Sequence, residues 1–332
     1  MIRKSWTAVS VALTLAWAPP AHSQAPSVAQ AAQAYPAKAI RFVVPFPPGG
    51  VTDRMARLIS LHMQENWKQP VVVENRPGGS GFIASQAVAS APPDGYTLLM
   101  GNINTHAINS SLYAKLPYDP VKDFAPISLL VSAPNLLLIH PSVPANNVQE
   151  LIALARAKPG GINFASAGSG TSSHMSAELF KSMASIDIAH IPYKGPGPAL
   201  QDTLSGQVSM YFDTLASTLP QVRAGKLKAL AITSPARSPL APEIPALAES
   251  GMPGFDVAPW FGVLTRAGTP PEIIAKLHAE MTRILNLPEV RTTLASQGVT
   301  IIASTPDAFA RYIDQEIVRW AKVVKDTGAK AE

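Results

Sequence analysis

Three times along the chain a short apolar strand runs into a glycine-rich turn that opens a helix. This recurring unit limits the possible folds more than any other feature. The first joins residues 39–46 through Pro47-Pro48-Gly49-Gly50 to a helix with Met55, Leu58, Ile59 and Met63 on one face. Thr52 and Asp53 are its expected N-cap residues. The second joins Val71-Val72-Val73 through Pro77-Gly78-Gly79-Ser80-Gly81 to a helix reaching Ser90. The third joins residues 162–165 through Ser166-Ala167-Gly168-Ser169-Gly170-Thr171-Ser172-Ser173 to a helix over 174–183. Their unequal spacing excludes a solenoid.

Further strands are expected over 96–100, 136–139, 187–191, 208–212, 227–232, 257–264 and 299–303. A last helix follows Thr305-Pro306-Asp307, with Phe309, Ile313, Ile317, Trp320 and Val324 on one stripe. Alternating strands and helices with short connections predict a mostly parallel sheet covered on both faces. The pattern restarts near 130–135 and again near 250–258, as if the chain left one lobe and returned to it. The expected division is a lobe of residues 35–133 and 254–332 and a second lobe of 134–253.

Composition agrees with a folded α/β chain. Apolar residues make up 47% and charged residues 15%, which excludes disorder as the main state. The 32 prolines are spread along element ends and read as stiff turns. With no cysteine, disulfides, thiol nucleophiles and cysteine-held metals are excluded. Residues 1–23 read as a signal peptide. Arg3 and Lys4 precede a short apolar run, Pro19 and Pro20 break it, and Ala21-His22-Ser23 supplies small residues for cleavage near Ser23. The run is too short to span a bilayer. Residues 24–34 read as a mobile lead-in, and the mature protein is expected in the periplasm as a monomer. Cleavage removes two of the five excess positive charges. What remains forms no basic cluster, so no nucleic-acid partner is expected.

A glycine-rich turn after a strand exposes backbone N–H groups at the start of the next helix, which suits carboxylate or phosphate. The loops at 47–53, 77–82 and 168–173 are therefore candidates for one anion site. Turn glycines serving backbone geometry alone are the alternative. No loop fits G-x-x-x-x-G-K-[ST], which excludes a nucleotide P-loop. Gly79-Ser80-Gly81-Phe82-Ile83-Ala84 fits G-x-G-x-x-A, but no acidic residue ends a strand about twenty positions later. There is no G-x-S-x-G and no H-x-x-x-H, so no catalytic residue, metal site or cofactor is expected. His174 either reaches a ligand from its loop or is a satisfied, partly buried histidine. Asp213 either contacts ligand at a strand end or caps the next helix.

The residues then carry a resemblance. Val43-Val44-Pro45-Phe46 with Pro48-Gly49-Gly50 and Thr52-Asp53, Val72-Val73-Glu74-Asn75-Arg76-Pro77-Gly78 and Pro93-Asp94-Gly95-Tyr96-Thr97-Leu98-Leu99 are similar to the Bug/TctC family. Leu116-Pro117-Tyr118-Asp119-Pro120, Pro192-Tyr193-Lys194-Gly195, Arg223-Ala224-Gly225-Lys226-Leu227 and Trp260-Phe261-Gly262 continue it. These are extracytoplasmic solute receptors of tripartite tricarboxylate transporters. The resemblance implies a two-lobed α/β periplasmic binding protein, type II-like, hinged like a Venus flytrap around a small organic carboxylate. One ligand end is implied at Phe46, Pro48, Gly49, Asp53, Gly78, Gly79, Ser80, Gly81 and Phe82, with Asn102 and Thr105 beside them. The other is implied at Ser166, Gly168, Ser169, Gly170, Thr171, Ser172 and His174, with Asp213 at the rim. The implied partners are the transporter's membrane subunits or a sensor protein, and the alternative is an exported hydrolase. The chain departs from the family pattern at Phe82, at Ala84-Ser85-Gln86 and at Thr214. Phe82 either walls the cleft or packs between helix and sheet. If it walls the cleft, it favours an aromatic or bulky apolar carboxylate.

Overall fold

The computed structural model describes residues 33–330; the segment read as a signal peptide and most of the expected lead-in lie outside them. The chain opens with β1 (Ile40–Val44), α1 (Val51–Trp67), β2 (Val71–Asn75), α2 (Phe82–Ala89) and β3 (Thr97–Asn102). A π-helical turn over Asn104–Ile108 continues into α3 (Asn109–Leu112), and β4 (Phe124–Ser132) follows. Then come β5 (Asn135–Ile139), α4 (Val148–Ala157), β6 (Asn163–Ser166), α5 (Ser172–Ala184), β7 (Ala189–Pro192) and α6 (Pro196–Leu204). β8 (Met210–Thr214), α7 (Leu215–Arg223) and β9 (Lys228–Ile232) complete this part. The last stretch holds β10 (Trp260–Arg266), α8 (Pro271–Leu285), α9 (Pro288–Ser296), β11 (Thr300–Ile301) and α10 (Pro306–Thr327).

Two sheets result, one per lobe. The first has the order β11-β4-β10-β3-β1-β2 and the second β7-β6-β8-β5-β9. The expectation of mostly parallel sheets is corrected, because both are mixed. β1 is parallel to β2 and β3, and β6 to β7 and β8. β10 runs antiparallel to β3 and β4, and β5 to β8 and β9. Crossover helices give the parallel pairs. The strands laid down where the chain passes between lobes enter reversed.

The first sheet is covered on one face by α1, α8 and α9, with Met55, Ile59, Leu277, Met281 and Ile284 buried against Phe42, Val44 and Leu98. Its other face carries α2, the π turn and α10. There the core continues without a break into α4, α5 and the second sheet, through Phe309, Trp320, Met175, Phe180 and Phe212. Helix α10 thus packs on both lobes. The two chain crossings run side by side. Ala133 N donates to Pro259 O (2.8 Å), and Val257 N donates to Thr233 O (3.0 Å). No helix among the described residues is long and apolar enough to cross a membrane.

Candidate ligand site between the lobes

The strand ends carrying the glycine loops face each other across a cleft. β1 delivers residues 45–50 to the start of α1, whose N-cap is Gly50 without a side-chain cap. Thr52 and Asp53 therefore lie inside the helix instead of capping it. Asp53 is buried and is held by its own lobe: it accepts from Gly49 N (2.9 Å), Arg57 Nε (3.0 Å) and Asn75 Nδ2 (2.9 Å). Burial raises its pKa, but the Arg57, Gly49 and Asn75 bonds more than offset that and hold it below the usual range. It shapes the loop and lines none of the cleft cavities described below.

On the other side, β6 delivers the loop that opens α5. Thr171 is the N-cap, accepting from His174 N (3.5 Å). His174 is buried and turned away from the cleft. Its Nδ1 accepts from Gly170 N (3.1 Å), and its ring stacks on His190 with centroids 4.1 Å apart. Burial, and secondarily His190 and Lys181, push its pKa down to about 3, so it is neutral. Ser166 Oγ lies 2.6 Å from His190 Nε2, the spacing of a nucleophile and its base. Ser166 is fully buried, however, and it also accepts from Gly168 N (3.2 Å). No substrate has access to it.

Between these loops the cleft has three connected parts. The innermost, of about 90 Å3, touches Phe46, Thr52, Asn102, Thr171, Ser172 and Asp213. First-turn backbone N–H groups of α1 and α5 open onto it from the two lobes, a ready site for an anion. One outer part, of about 610 Å3, takes in Gly78, Ser80, Gly81, Gly168, Ser169 and Tyr193. The other, of about 580 Å3, takes in Pro48, Gly49, Arg54, Lys194 and Asp213. Gly79 belongs to the 3-10 turn Gly79–Gly81 within the first lobe's second loop. The lobes meet beside the cleft. Ser80 Oγ donates to Ser169 O, and Gly170 lies against Leu112.

Several expected contacts sit elsewhere. Phe82 is half-buried and packs edge-on against Tyr113 (centroids 5.7 Å, 82°), touching none of the three cavities. Of the two readings of Phe82, packing is the one this geometry matches, because α2 directs the ring toward the core. Thr105 is buried, with Oγ1 donating to Asn102 O (3.1 Å), and its methyl faces Gly81. Gly170 is used in the contact between lobes. Asn104, Asn135, Tyr211, Ser217, Tyr193 and Lys194 line the cleft without having been singled out as ligand contacts. Only the last two carried a signal, as part of Pro192-Tyr193-Lys194-Gly195.

Asp213 closes β8 and does not cap α7, whose N-cap is Thr214. Its Oδ1 accepts from Thr214 N (2.7 Å), while Oδ2 is buried without a protein partner on a residue that lines the inner cavity. Burial pushes its pKa up to about 7, against smaller opposing effects of Thr214 and Arg54. Among the described residues no cluster of three His, Cys, Asp or Glu could hold a metal.

Comparison with known proteins agrees with this geometry. Protein BugT of Bordetella pertussis is 40% identical over 300 residues, 90% of this chain and 92% of BugT. An R. palustris protein solved with adipate superposes with a TM-score of 0.86 at 37% identity, covering 90% of this chain and all of its own. MatC from Rhodopseudomonas palustris, with bound malate, gives 0.83 at 38%, covering 87% of this chain and all of its own. The family model described as the tripartite tricarboxylate transporter family receptor, TctC, matches residues 55–329. That family match and these likenesses place the chain in the Bug/TctC family of solute-binding receptors.

Proposed function

We propose that the protein is a periplasmic receptor that closes over a small unbranched dicarboxylate and hands it to the membrane subunits of a tripartite tricarboxylate transporter. The observation that carries this reading is the convergence of the α1 and α5 N-termini, one from each lobe, on a single inner cavity. Their free N–H groups and dipoles hold an anion without a lysine or arginine in the inner lining. Arg54 and Lys194, on opposite lobes of one outer part, add a positive mouth that attracts anions. The neighbours solved with adipate and malate support a short dicarboxylate. The signal peptide and the family support a periplasmic location. The ligand contacts we assign are Phe46, Pro48, Gly49, Thr171, Ser172 and Asp213, with Gly78, Ser80, Gly81, Gly168 and Ser169 closing the outer part.

A thermal-shift series of mono-, di- and tricarboxylates tests the reading. A ligand at about 100 times Kd adds about 2.7 kcal/mol, so C4 to C6 dicarboxylates should raise Tm by several degrees where matched monocarboxylates do not. Stabilisation by monocarboxylates alone, or by none of the series, overturns it. Delivery is tested by deleting the gene in a host that grows on the stabilising acid: uptake of that acid should be lost.

A further inference from the structure

Four residues that line the inner end of the cleft each carry a buried side-chain atom that no protein group satisfies. Asn104 Oδ1 comes from the first lobe, and Asn135 Nδ2, Tyr211 Oη and Asp213 Oδ2 come from the second. Buried polar atoms are nearly always partnered, so four bare ones around one cavity mark the seat of a polar group. Tyr211 and Asp213, two apart on β8, face the same side. Ser173 stands near enough to influence Tyr211, but no hydrogen bond of good geometry joins them. The cavity of about 90 Å3 is several times the roughly 10–15 Å3 that one water needs.

Its lining contains no Lys, Arg or His; Asp213 and Tyr211 are its titratable groups. Arg54 on α1 acts on Asp213 through its charge, and Arg54 and Lys194 line the neighbouring mouth with it. Thr214 N already occupies Oδ1. A ligand carboxylate placed here meets Asp213 directly, and two adjacent carboxyl groups cannot both stay ionised. Resting on the dicarboxylate reading above, we propose that this inner end seats the ligand's distal carboxylate against a neutral Asp213, with uptake of one proton. Asn135 Nδ2, Tyr211 Oη and the Asp213 acid then all donate to the carboxylate. The proton, from solvent or from the ligand's own acid form, ends between Asp213 Oδ2 and a ligand oxygen. Asn104, whose amide can turn to present its nitrogen, closes the cage from the first lobe. Burial already holds the empty Asp213 near pH 7, so the proton is available at neutral pH.

Calorimetry on the mature protein with succinate, glutarate and adipate, at pH 6.5 and 8.5 in phosphate and in Tris, tests this. For a binding dicarboxylate we expect uptake of close to one proton at pH 8.5. Affinity should fall by roughly tenfold per pH unit above about 7, the slope that one linked proton imposes. Asp213→Asn should bind it equally well at both pH values and take up no proton. Tyr211→Phe should weaken a dicarboxylate severalfold while leaving its proton uptake in place. Binding by wild type without pH dependence or proton uptake overturns the inference alone. So does a tenfold or greater loss in a folded Asp213→Asn at pH 6.5, which would mean that an ionised Asp213 meets an ammonium or hydroxyl. If none of the three acids binds, the dicarboxylate reading falls and the inference falls with it.

Discussion

Phe82 departs from the family pattern without reaching the cleft. Its ring lies edge-on to Tyr113, in contact with the core cluster that fills the space between the sheets. Replacing it by asparagine puts an amide where an apolar ring packed. Phe82→Asn should cost about 1–3 kcal/mol of stability and leave the ratio of affinities for an aromatic and a short aliphatic dicarboxylate unchanged. Chemical denaturation and calorimetry on the same variant check both halves; a changed ratio would return Phe82 to the ligand wall. Asp53 is the opposite case, a residue read as a contact that acts through its loop. Asp53→Ala releases Gly49 N, Arg57 and Asn75 together, so ligand affinity should drop severalfold although Asp53 touches no cavity. Its folded pKa lies below the unfolded value near 3.8. Asp53 therefore stabilises the fold above about pH 4, and that contribution is lost as pH falls through the folded value. The wild-type advantage over Asp53→Ala in urea should shrink between pH 5 and pH 3. A constant difference would show that the lost stability comes from packing.

At the scale of elements, helix α10 is the part whose role depends most on one buried group. Trp260 Nε1 of β10 and Trp320 Nε1 of α10 both donate to Glu316 Oε2, at 3.0 and 3.2 Å, and Arg319 Nη1 reaches Oε1 at 3.2 Å. Glu316→Ala strands two buried indole donors, each costing about 1–3 kcal/mol. Glu316→Gln keeps one acceptor oxygen and should lose less than half as much. Equal losses, measured by urea denaturation, would mean that the indoles find other partners. The stripe that seats this helix was plain in the sequence, since Phe309, Ile313 and Trp320 repeat at helical spacing and all are buried. The glycine loops were equally plain, because only those residues make such turns after a strand. Strand β4 was not. Pro126 interrupts Phe124–Ser132, and it is tolerated because a register shift against β10 falls beside its partner Leu264. The inner cavity was illegible for a different reason. Asn104, Asn135 and Tyr211 lie on a π turn, at the start of β5 and within β8, and no spacing along the chain links them. Pairing of β5 with β8 brings Asn135 and Tyr211 together in the second lobe, and Asn104 faces them from the first.

For the whole molecule, the contact between lobes beside the cleft decides whether closure needs ligand. Ser80 Oγ of the first lobe donates to Ser169 O of the second, and Asn109 Nδ2 supports the same turn through Ser80 O (3.1 Å). Gly170 sits directly opposite Leu112, and a Cβ there would stand 2.6 Å from Leu112 Cδ2. Such a distance requires the Leu112 side chain or the Gly170 loop to shift. Gly170 also has φ +78, so alanine adds about 1–2 kcal/mol of local strain whatever the lobes do. The two effects separate in a double-mutant cycle. Gly170→Ala alone should enlarge the ligand-free radius of gyration in small-angle scattering and weaken ligand binding about tenfold or more. Gly170→Ala with Leu112→Ala removes the wedge but keeps the strained loop, so it should restore the compact form and most of the affinity. Leu112→Ala alone should leave the radius near that of wild type. If the double variant stays as open as Gly170→Ala, the loop has lost its own shape and the wedge between lobes is not the cause. If Gly170→Ala is as compact as wild type, the lobes rest apart in solution until a ligand draws them together.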